Sequence, residues 1–187
     1  MNVPRIGVRF RLPASMNQVE YFGRGPAENY LDRNAGSMVG LYKSTAEELY
    51  FPYVRPQENG HHTDTRWVSL STGKKGLLIQ ADNTIGFNAL RNSIEDFDDE
   101  EATGLSRQWS NFTPEQVANH DEAAAKNVLR RQHHINNITP RDFVEVCVDL
   151  KQQGVAGYDS WGSRPEPAYT LPANREYNWG FTLIPLK

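Results

Sequence analysis

The sequence lacks several features that would each indicate a class of protein. It has 1 cysteine, which excludes an internal disulfide, and 20 Lys and Arg against 23 Asp and Glu, without the basic excess typical of nucleic-acid-binding proteins. No apolar run approaches the roughly 18 residues of a membrane-spanning helix, and no signal peptide is visible. At 187 residues the chain is also shorter than a complete (β/α)8 barrel, which takes roughly 250 residues. We therefore expect a single domain over residues 1–187, with neither a nucleic acid nor a membrane as partner.

Aromatic and turn-forming residues are plentiful instead. The chain has 8 tyrosines, 8 phenylalanines and 4 tryptophans, together with 14 glycines and 11 prolines. Aromatic side chains favour strands, and frequent Gly and Pro favour short connections, so the composition predicts a β-rich fold. Predicted strands begin and end within about four residues of the two chain ends, where a natural domain usually has flexible segments. This predicts that the chain is a fragment.

Alternation of apolar and polar residues predicts the strands themselves. It is clearest at 5–12, where the polar face carries three arginines, at 144–150 and at 177–185. Shorter candidates lie at 17–22, 50–55, 65–71, 76–81 and 84–90. The glycines at 73 and 76 predict a hairpin turn between the strands 65–71 and 76–81.

One segment departs from the strand pattern. Thr113, Pro114 and Gln116 form the N-terminal signature of a helix, and the Ala-, Glu- and Lys-rich residues that follow favour its continuation to Leu129. The sequence therefore predicts one helical insertion near 113–130. We expect it within an exposed excursion, residues 98–132, that separates two strands.

Residues able to bind a metal or act as nucleophiles form no recognisable motif. Histidines are adjacent at His61-His62 and at His133-His134, and successive strand side chains point to opposite faces, so neither pair can readily chelate one ion. We interpret them as surface or loop histidines. Cys147 lies in an alternating run and is interpreted as a part-buried, inert thiol. We predict neither a metal site nor a catalytic residue in this chain.

Three loop-like clusters combine aromatic and polar side chains, namely residues 21–33, 52–60 and 154–162. Aromatic rings stack on the apolar face of a sugar while Asp, Asn and Arg bind its hydroxyl groups, so such clusters fit carbohydrate binding. Turn formation and core packing explain the same residues without any ligand. Composition alone favours that second interpretation.

Several motifs of these clusters occur together in a recognisable order. They are FGRGPAENYLDR at 22–33, YVRPQENG at 53–60, Arg66-Trp67, Asp159-Ser160-Trp161-Gly162 and the closing aromatic strand. In order and spacing the chain resembles, from about Pro4 onward, the C-terminal domain of large bacterial β-galactosidases of glycoside hydrolase family 2. The resemblance implies an all-β fold, an antiparallel β-supersandwich similar to galactose mutarotases. It also implies an N-terminally truncated domain whose parent enzyme carries a catalytic barrel upstream.

The resemblance further implies a function. The parent would hydrolyse terminal β-D-galactosides such as lactose with two glutamates, the arrangement of retaining glycosidases. Those glutamates, and the Mg²⁺ and Na⁺ ions of the family, would lie on the barrel, and the resemblance gives Glu28 and Glu58 no catalytic role. Trp161, with Asp159 beside it, would contact the sugar. The implied partners are the upstream domains, a β-galactoside and further copies of the parent, in the bacterial cytoplasm or periplasm, and the isolated chain is expected to be inactive.

Two other functions remain open. One is a freestanding carbohydrate-binding module, which would need a preformed groove with exposed aromatic rings. The other is a mutarotase-like epimerising enzyme, which needs an acid and a base that converge in a cleft. His61 and Glu58 are the local candidates for that pair.

Overall fold

The computed structural model describes residues 1–54, 57–97, 135, 138–157 and 162–187. Over these residues the protein is built from strands joined by loops, which confirms the predicted all-β, antiparallel fold class. The strands are β1 (Arg5–Pro13), β2 (Gln18–Gly25), β3 (Met38–Thr45), β4 (His62–Ser71), β5 (Gly76–Leu90), β6 (Phe143–Gln152) and β7 (Phe181–Leu186). Short 3₁₀ turns lie at Ile94–Asp96 and Pro167–Tyr169.

The strands of the described residues form one antiparallel sheet of seven strands. Their order is β1-β6-β5-β4-β2-β3, and β7 pairs with β5 beside this path. The 15-residue strand β5 is the centre of the sheet. On one side it pairs with β4, and on the other side its first half pairs with β7 and its second half with β6.

Several strand predictions are confirmed and others need correction. The strands predicted at 5–12, 17–22, 65–71 and 144–150 are present, as is the hairpin turn between β4 and β5, whereas 76–81 and 84–90 form one continuous strand. The prediction of a strand at 50–55 is wrong for residues 50–54, which form a loop. The closing strand predicted at 177–185 is shorter and begins only at Phe181. The sequence pattern missed β3, an edge strand whose residues Val39 and Leu41 are exposed.

The basic face of β1 lies against the acidic face of β6. In the register of the two strands Arg11 is opposite Glu145 and Arg9 is opposite Cys147. The Glu145 carboxylate is 3.0 Å from Arg11 Nε and 3.5 Å from Arg9 Nη1. Cross-strand pairs of opposite charge stabilise an antiparallel ladder, and this pairing explains why β1 carries alternate arginines. Cys147 is buried rather than part-buried, a correction to the sequence interpretation.

The apolar core lies on the opposite face of the central strands. Val68, Phe87 and Val146 are fully buried there. The ring of Tyr21 packs edge-on against Phe87 and His62, with 5.0 Å between ring centroids in each case. Burial of this kind is the main favourable term in folding, so these strands form the rigid part of the sheet.

The chain divides into two compact units. The first consists of Met1–Phe51, Asn59–Asn92 and Pro140–Lys187, and the second of Pro52–Glu58 and Ser93–Thr139. The seven strands belong to the first unit. The predicted helix near 113–130, the excursion 98–132 and the second histidine pair lie outside the described residues. Among the residues that are described, no helix is long and apolar enough to cross a membrane.

Candidate functional site

The loop that follows β2 is fixed by Asn29. This side chain is completely buried. Its Nδ2 donates to the carbonyl oxygens of Arg24 and Ala27, both at 3.1 Å, and its Oδ1 accepts from the backbone N–H of Thr63 at 3.0 Å and from the Thr63 hydroxyl at 2.5 Å. Both donors and the acceptor of the amide are therefore satisfied. Asn29 joins the β2–β3 loop (residues 26–37) to the start of β4.

Glu28 makes a second connection between the same two parts of the chain. Its Oε2 accepts from the Gly60 N–H at 2.7 Å and from the Tyr30 hydroxyl at 3.2 Å, and its Oε1 is 2.8 Å from Arg33 Nη2. Gly60 has a φ of +70°, and a Cβ there would lie 2.8 Å from Leu90 Cδ2, so the position requires glycine. Glu28 therefore joins the β2–β3 loop to the residues before β4.

Asn59 fixes the neighbouring motif in the same way. Its Oδ1 accepts from the Phe51 N–H at 2.8 Å, and its Nδ2 donates to the Phe51 carbonyl at 2.6 Å. The Asn59 carbonyl accepts from Asn88 Nδ2 of β5 at 2.6 Å. The motif at 22–33 therefore meets Asn59 and Gly60, the last two residues of the motif at 53–60, through buried amide and carboxylate groups at one end of β4 and β5.

The third cluster is joined to the first by Asp32. One carboxylate oxygen, Oδ1, accepts from the Val155 N–H at 3.1 Å, and the other, Oδ2, accepts from the Ala156 N–H at 2.8 Å. Hydrogen bonds to an ionised acceptor are stronger than those between neutral groups. Asp32 thus binds the backbone that follows β6 with both of its oxygens. The sequence pattern gives no signal for this role of Asp32.

We call residues Gln153–Ala156 the loop root, because they lead from β6 toward residues 158–161. The two N–H groups before those of Val155 and Ala156 are also bonded. Gln153 donates to the Pro4 carbonyl at 2.9 Å, and Gly154 donates to the Tyr169 carbonyl at 2.8 Å. Four successive N–H groups are therefore held, two by backbone carbonyls and two by the Asp32 carboxylate. A Cβ on Gly154 would overlap the carboxyl group of Asp32, so glycine permits this approach.

The two predicted substrate-contacting residues, Asp159 and Trp161, lie outside the described residues. The backbone on either side of them is described. Ala156 has a φ of +55°, Gly157 of +87° and Gly162 of +83°. The left-handed region is uncommon for a residue with a side chain, and here Ala156 adopts it while its N–H is bonded to Asp32. The direction of the chain is thus fixed up to Ala156.

A cavity of about 390 Å³ lies beside the loop root. It is lined by the β2–β3 loop from Leu31 to Ser37, by Glu28 and by Tyr169. Its charged side chains already have partners within the protein: Glu28 binds Gly60 and Arg33, and Asp32 binds the loop root. The cavity therefore offers mainly space and backbone groups rather than free charges.

The interpretation of His61 and His62 as surface or loop histidines is wrong. Both are buried. The ring of His61 stacks on Tyr30 with 5.6 Å between centroids, and its Nδ1 is 2.8 Å from Asn88 Oδ1, which accepts the bond. The sequence could not show that the start of β4 lies under the β2–β3 loop, which covers these rings.

Burial determines the protonation state of both rings. Burial and, second to it, the positive charge of Arg5 lower the pKa of His61 to about 3, against the opposing effect of the hydrogen bond to Asn88. Burial likewise lowers the pKa of His62, although the carbonyls of Pro26 and Gly60 oppose the shift. Both rings are therefore neutral at physiological pH. A buried, neutral His61 cannot meet a sugar in a cleft, which removes the histidine that the epimerising enzyme would need.

The fold and the site together define the class of protein. It is an antiparallel β domain whose sheet presents polar loops, and Asn, Glu and Asp side chains hold these loops against one another. The sequence matches the family of the β-galactosidase small chain over residues 1–183. The chain belongs to that family, which confirms the resemblance carried by the loop motifs.

Curated relatives are themselves β-galactosidases. The chain is 35% identical over 185 residues to the β-galactosidase of Priestia megaterium, an alignment that covers 98% of this chain and 15% of that protein. It is 42% identical over 99 residues to the enzyme of an Arthrobacter species, an alignment that covers 50% of this chain and 10% of that enzyme. It is 28% identical over 187 residues to the enzyme of Streptococcus thermophilus, an alignment that covers 99% of this chain and 15% of that enzyme. The chain thus spans about 15% of the length of the relatives that it matches throughout.

Proposed function

We propose that this chain is the C-terminal domain portion of a larger β-galactosidase, and that it gives structural support and one aromatic substrate contact to an active site on a barrel outside the chain. The observation that carries the proposal is the match itself, which extends over nearly the whole chain but covers only about 15% of the relatives. A domain of this relative size, retained throughout its length, fits a part of the enzyme that assists the catalytic part.

The geometry of the loops supports a role for this chain in substrate contact rather than in catalysis. Glu28 joins the first cluster to Gly60, and Asp32 joins it to Val155 and Ala156, so the backbone direction is fixed up to Ala156. Functional residues commonly lie on loops positioned by a rigid scaffold. Trp161 follows Ala156 by five positions. We infer that the sheet presents this aromatic side chain to the substrate.

The chemistry of hydrolysis would be performed elsewhere in the enzyme. The proposed mechanism is that of a retaining glycosidase, with one glutamate as nucleophile and a second as acid and base, both on the barrel. Stacking of Trp161 on a galactose ring would contribute about 1 kcal/mol beyond the area that it buries. This changes affinity and acceptor choice several-fold and leaves the bond-breaking step to the glutamates. Mg²⁺ and Na⁺, where the parent enzyme uses them, would bind on the barrel as well.

Substitution of the tryptophan in the complete enzyme tests the proposed contact. We expect Trp161→Ala to raise KM for lactose, or to change the ratio of transglycosylation to hydrolysis, with little change in thermal stability. Trp179→Ala is a matched control, because that ring lies near β7 and packs on Phe181, with 5.4 Å between centroids. The control should keep the wild-type kinetic constants. A Trp161→Ala enzyme with wild-type kcat, KM and product ratio would show that the ring does not contact substrate.

The isolated chain tests whether catalysis lies elsewhere. We expect the purified chain to leave a chromogenic β-galactoside intact, whereas robust hydrolysis free of contaminating enzyme would contradict the proposal. Calorimetric titration with galactose and lactose separates it from the freestanding binding module. The module requires millimolar or tighter binding by this chain alone, and our proposal expects none.

A further inference from the structure

We propose that Asn59 is a site of deamidation that the folded protein protects and the unfolded chain leaves open, so that chains which stay unfolded lose the ability to form this structure. Asn59 and Gly60 are the only Asn-Gly pair in the sequence. Glycine hinders attack on the preceding asparagine least, because it carries no side chain. The site lies apart from the proposed contact with substrate and does not depend on it.

Deamidation at Asn59 would proceed through a five-membered ring. The backbone nitrogen of Gly60 attacks Cγ of Asn59, so that a C–N bond forms and the bond from Cγ to Nδ2 breaks. The amide nitrogen leaves as ammonia and takes up the proton that the Gly60 nitrogen loses. Water then opens the succinimide at one of its two carbonyls and leaves aspartate or isoaspartate at position 59. The side-chain amide must therefore turn toward the Gly60 nitrogen, and that nitrogen must be able to lose its proton.

Hydrogen bonds in the folded protein oppose both requirements. Oδ1 of Asn59 accepts from the Phe51 N–H at 2.8 Å and Nδ2 donates to the Phe51 carbonyl at 2.6 Å, so rotation of the amide would break two hydrogen bonds. The Gly60 N–H donates to Oε2 of Glu28 at 2.7 Å. Loss of that proton would place a second negative charge beside the carboxylate, which is unfavourable. Asn59 is also only 2% exposed, which keeps water away from Cγ.

The product of the reaction does not fit the place of Asn59. Aspartate has an oxygen where the amide has Nδ2, and this oxygen would face the Phe51 carbonyl oxygen without a proton between them. A buried acceptor without a donor costs free energy, and a buried charge costs more. Isoaspartate also lengthens the backbone by one methylene group beside the Asn59 carbonyl, which accepts from Asn88 Nδ2 at 2.6 Å. Deamidation in the unfolded chain therefore prevents a later return to this structure.

Peptide mass spectrometry of the complete enzyme tests the protection. One sample is kept folded and another is unfolded in guanidinium chloride, at the same mildly alkaline pH and temperature, and conversion of asparagine to aspartate and isoaspartate is followed at each site. We expect Asn59 to convert at least about a hundredfold faster in the unfolded chain, the factor expected when two or three buried hydrogen bonds must open. Asn174 is the internal control, because it is exposed in the folded protein and lies in a turn. A ratio of unfolded to folded rates no larger at Asn59 than at Asn174 would overturn the inference.

Substitution by aspartate tests the effect of the product. Amide hydrogen exchange in the complete Asn59→Asp enzyme should be at least about tenfold faster at Phe51 and Gly60 than in the wild type, since the buried oxygen at position 59 has lost its donor. Asn174→Asp is the matched control and should leave exchange at both sites unchanged. Wild-type exchange at Phe51 and Gly60 in Asn59→Asp would overturn the inference. Failure of Asn59→Asp to fold, while Asn174→Asp folds, would support it.

Discussion

Arg5 Nε lies 3.1 Å from Asp149 Oδ2, and the two residues form a largely buried ion pair between β1 and β6. The Asp149 side chain is 1% exposed. In the register of the sheet Asp149 has a glycine on each side, Gly7 on β1 and Gly86 on β5. A Cβ on Gly7 would overlap the carboxyl group of Asp149, and one on Gly86 would lie 2.5 Å from His61 Cε1. The two glycines therefore make room for a charged group and a ring inside a β-sheet.

Removal of one partner of this ion pair should be strongly destabilising. We expect Arg5→Met to lower the free energy of unfolding by about 3–5 kcal/mol, because it leaves the Asp149 carboxylate buried without its guanidinium. Arg11→Met is the comparison: the Arg11 side chain is 53% exposed, and its partner Glu145, which is itself buried, keeps Arg9 at 3.5 Å, so we expect a smaller loss. Urea unfolding of the two variants measures both values. Equal losses would mean that burial of Asp149 does not decide the cost.

The buried histidines predict a loss of stability in acid. The pKa of His61 is 6.5 in its ordinary state and about 3 in the folded protein, so between these values the unfolded chain binds a proton that the folded chain does not. The free energy of unfolding should therefore fall as pH decreases from 6.5 toward 3. His61→Phe removes this titration, and its unfolding free energy should depend less steeply on pH over that range. An unchanged slope in His61→Phe would contradict the assignment.

Two apolar strand residues should differ in their contribution to stability. Val146 is fully buried, so Val146→Ala should lower the free energy of unfolding by about 2–3 kcal/mol. Phe181 is half-buried at the start of β7, so its truncation to alanine removes less buried area than a core phenylalanine. We expect a cost below about 3 kcal/mol for Phe181→Ala, the lower end for buried phenylalanines. Chemical denaturation measures the loss of unfolding free energy in both variants. A loss above about 3 kcal/mol for Phe181→Ala, as expected of a core phenylalanine, would show that β7 is more deeply packed.

Substitution by alanine should affect the free energy of unfolding differently at two glycines. Gly60→Ala combines a positive φ with a Cβ 2.8 Å from Leu90 Cδ2, and we expect a loss of at least about 1 kcal/mol in unfolding free energy. A Cβ on Gly36 meets nothing within 4 Å, and its φ lies outside the left-handed region. Gly36→Ala should therefore be neutral or stabilise by up to about 1 kcal/mol through the unfolded chain. Thermal unfolding compares them, and equal melting temperatures would refute the requirement for glycine at position 60.

The strands that the sequence predicted well have one apolar and one polar face. β1 and β6 alternate clearly, because Val144, Val146 and Val148 of β6 belong to the core and the charged residues of the two strands pair with each other. The pattern of β3 was missed because both of its faces carry apolar residues, Val39 and Leu41 on one and Met38 and Tyr42 on the other, which blurs the alternation. Residues 50–54 contain the aromatic and β-branched types that favour strands, yet Asn59 takes up the backbone groups of Phe51 that a neighbouring strand would need.

The candidate site was predicted as a set of motifs and not as a set of contacts. The resemblance selected the clusters around Glu28, Asn59 and Trp161, and the structure shows that the first two meet. The role of Asp32 could not be read from the sequence, because its partners are backbone N–H groups more than a hundred residues away. Backbone donors carry no residue-specific signal. The burial of His61 could not be predicted for a related reason, since the loop that covers it comes from an earlier part of the chain.

The division of β5 between two partners on one side has a consequence for biosynthesis. Its first half pairs with β7, which lies about a hundred positions later in the sequence. While the ribosome adds those residues, the edge of β5 from Gly76 to Ala81 has no strand to close it. Open strand edges recruit other chains, so the nascent protein is most prone to aggregation in this interval. Chains that end before Phe181 should thus bind holding chaperones more than chains that include β7.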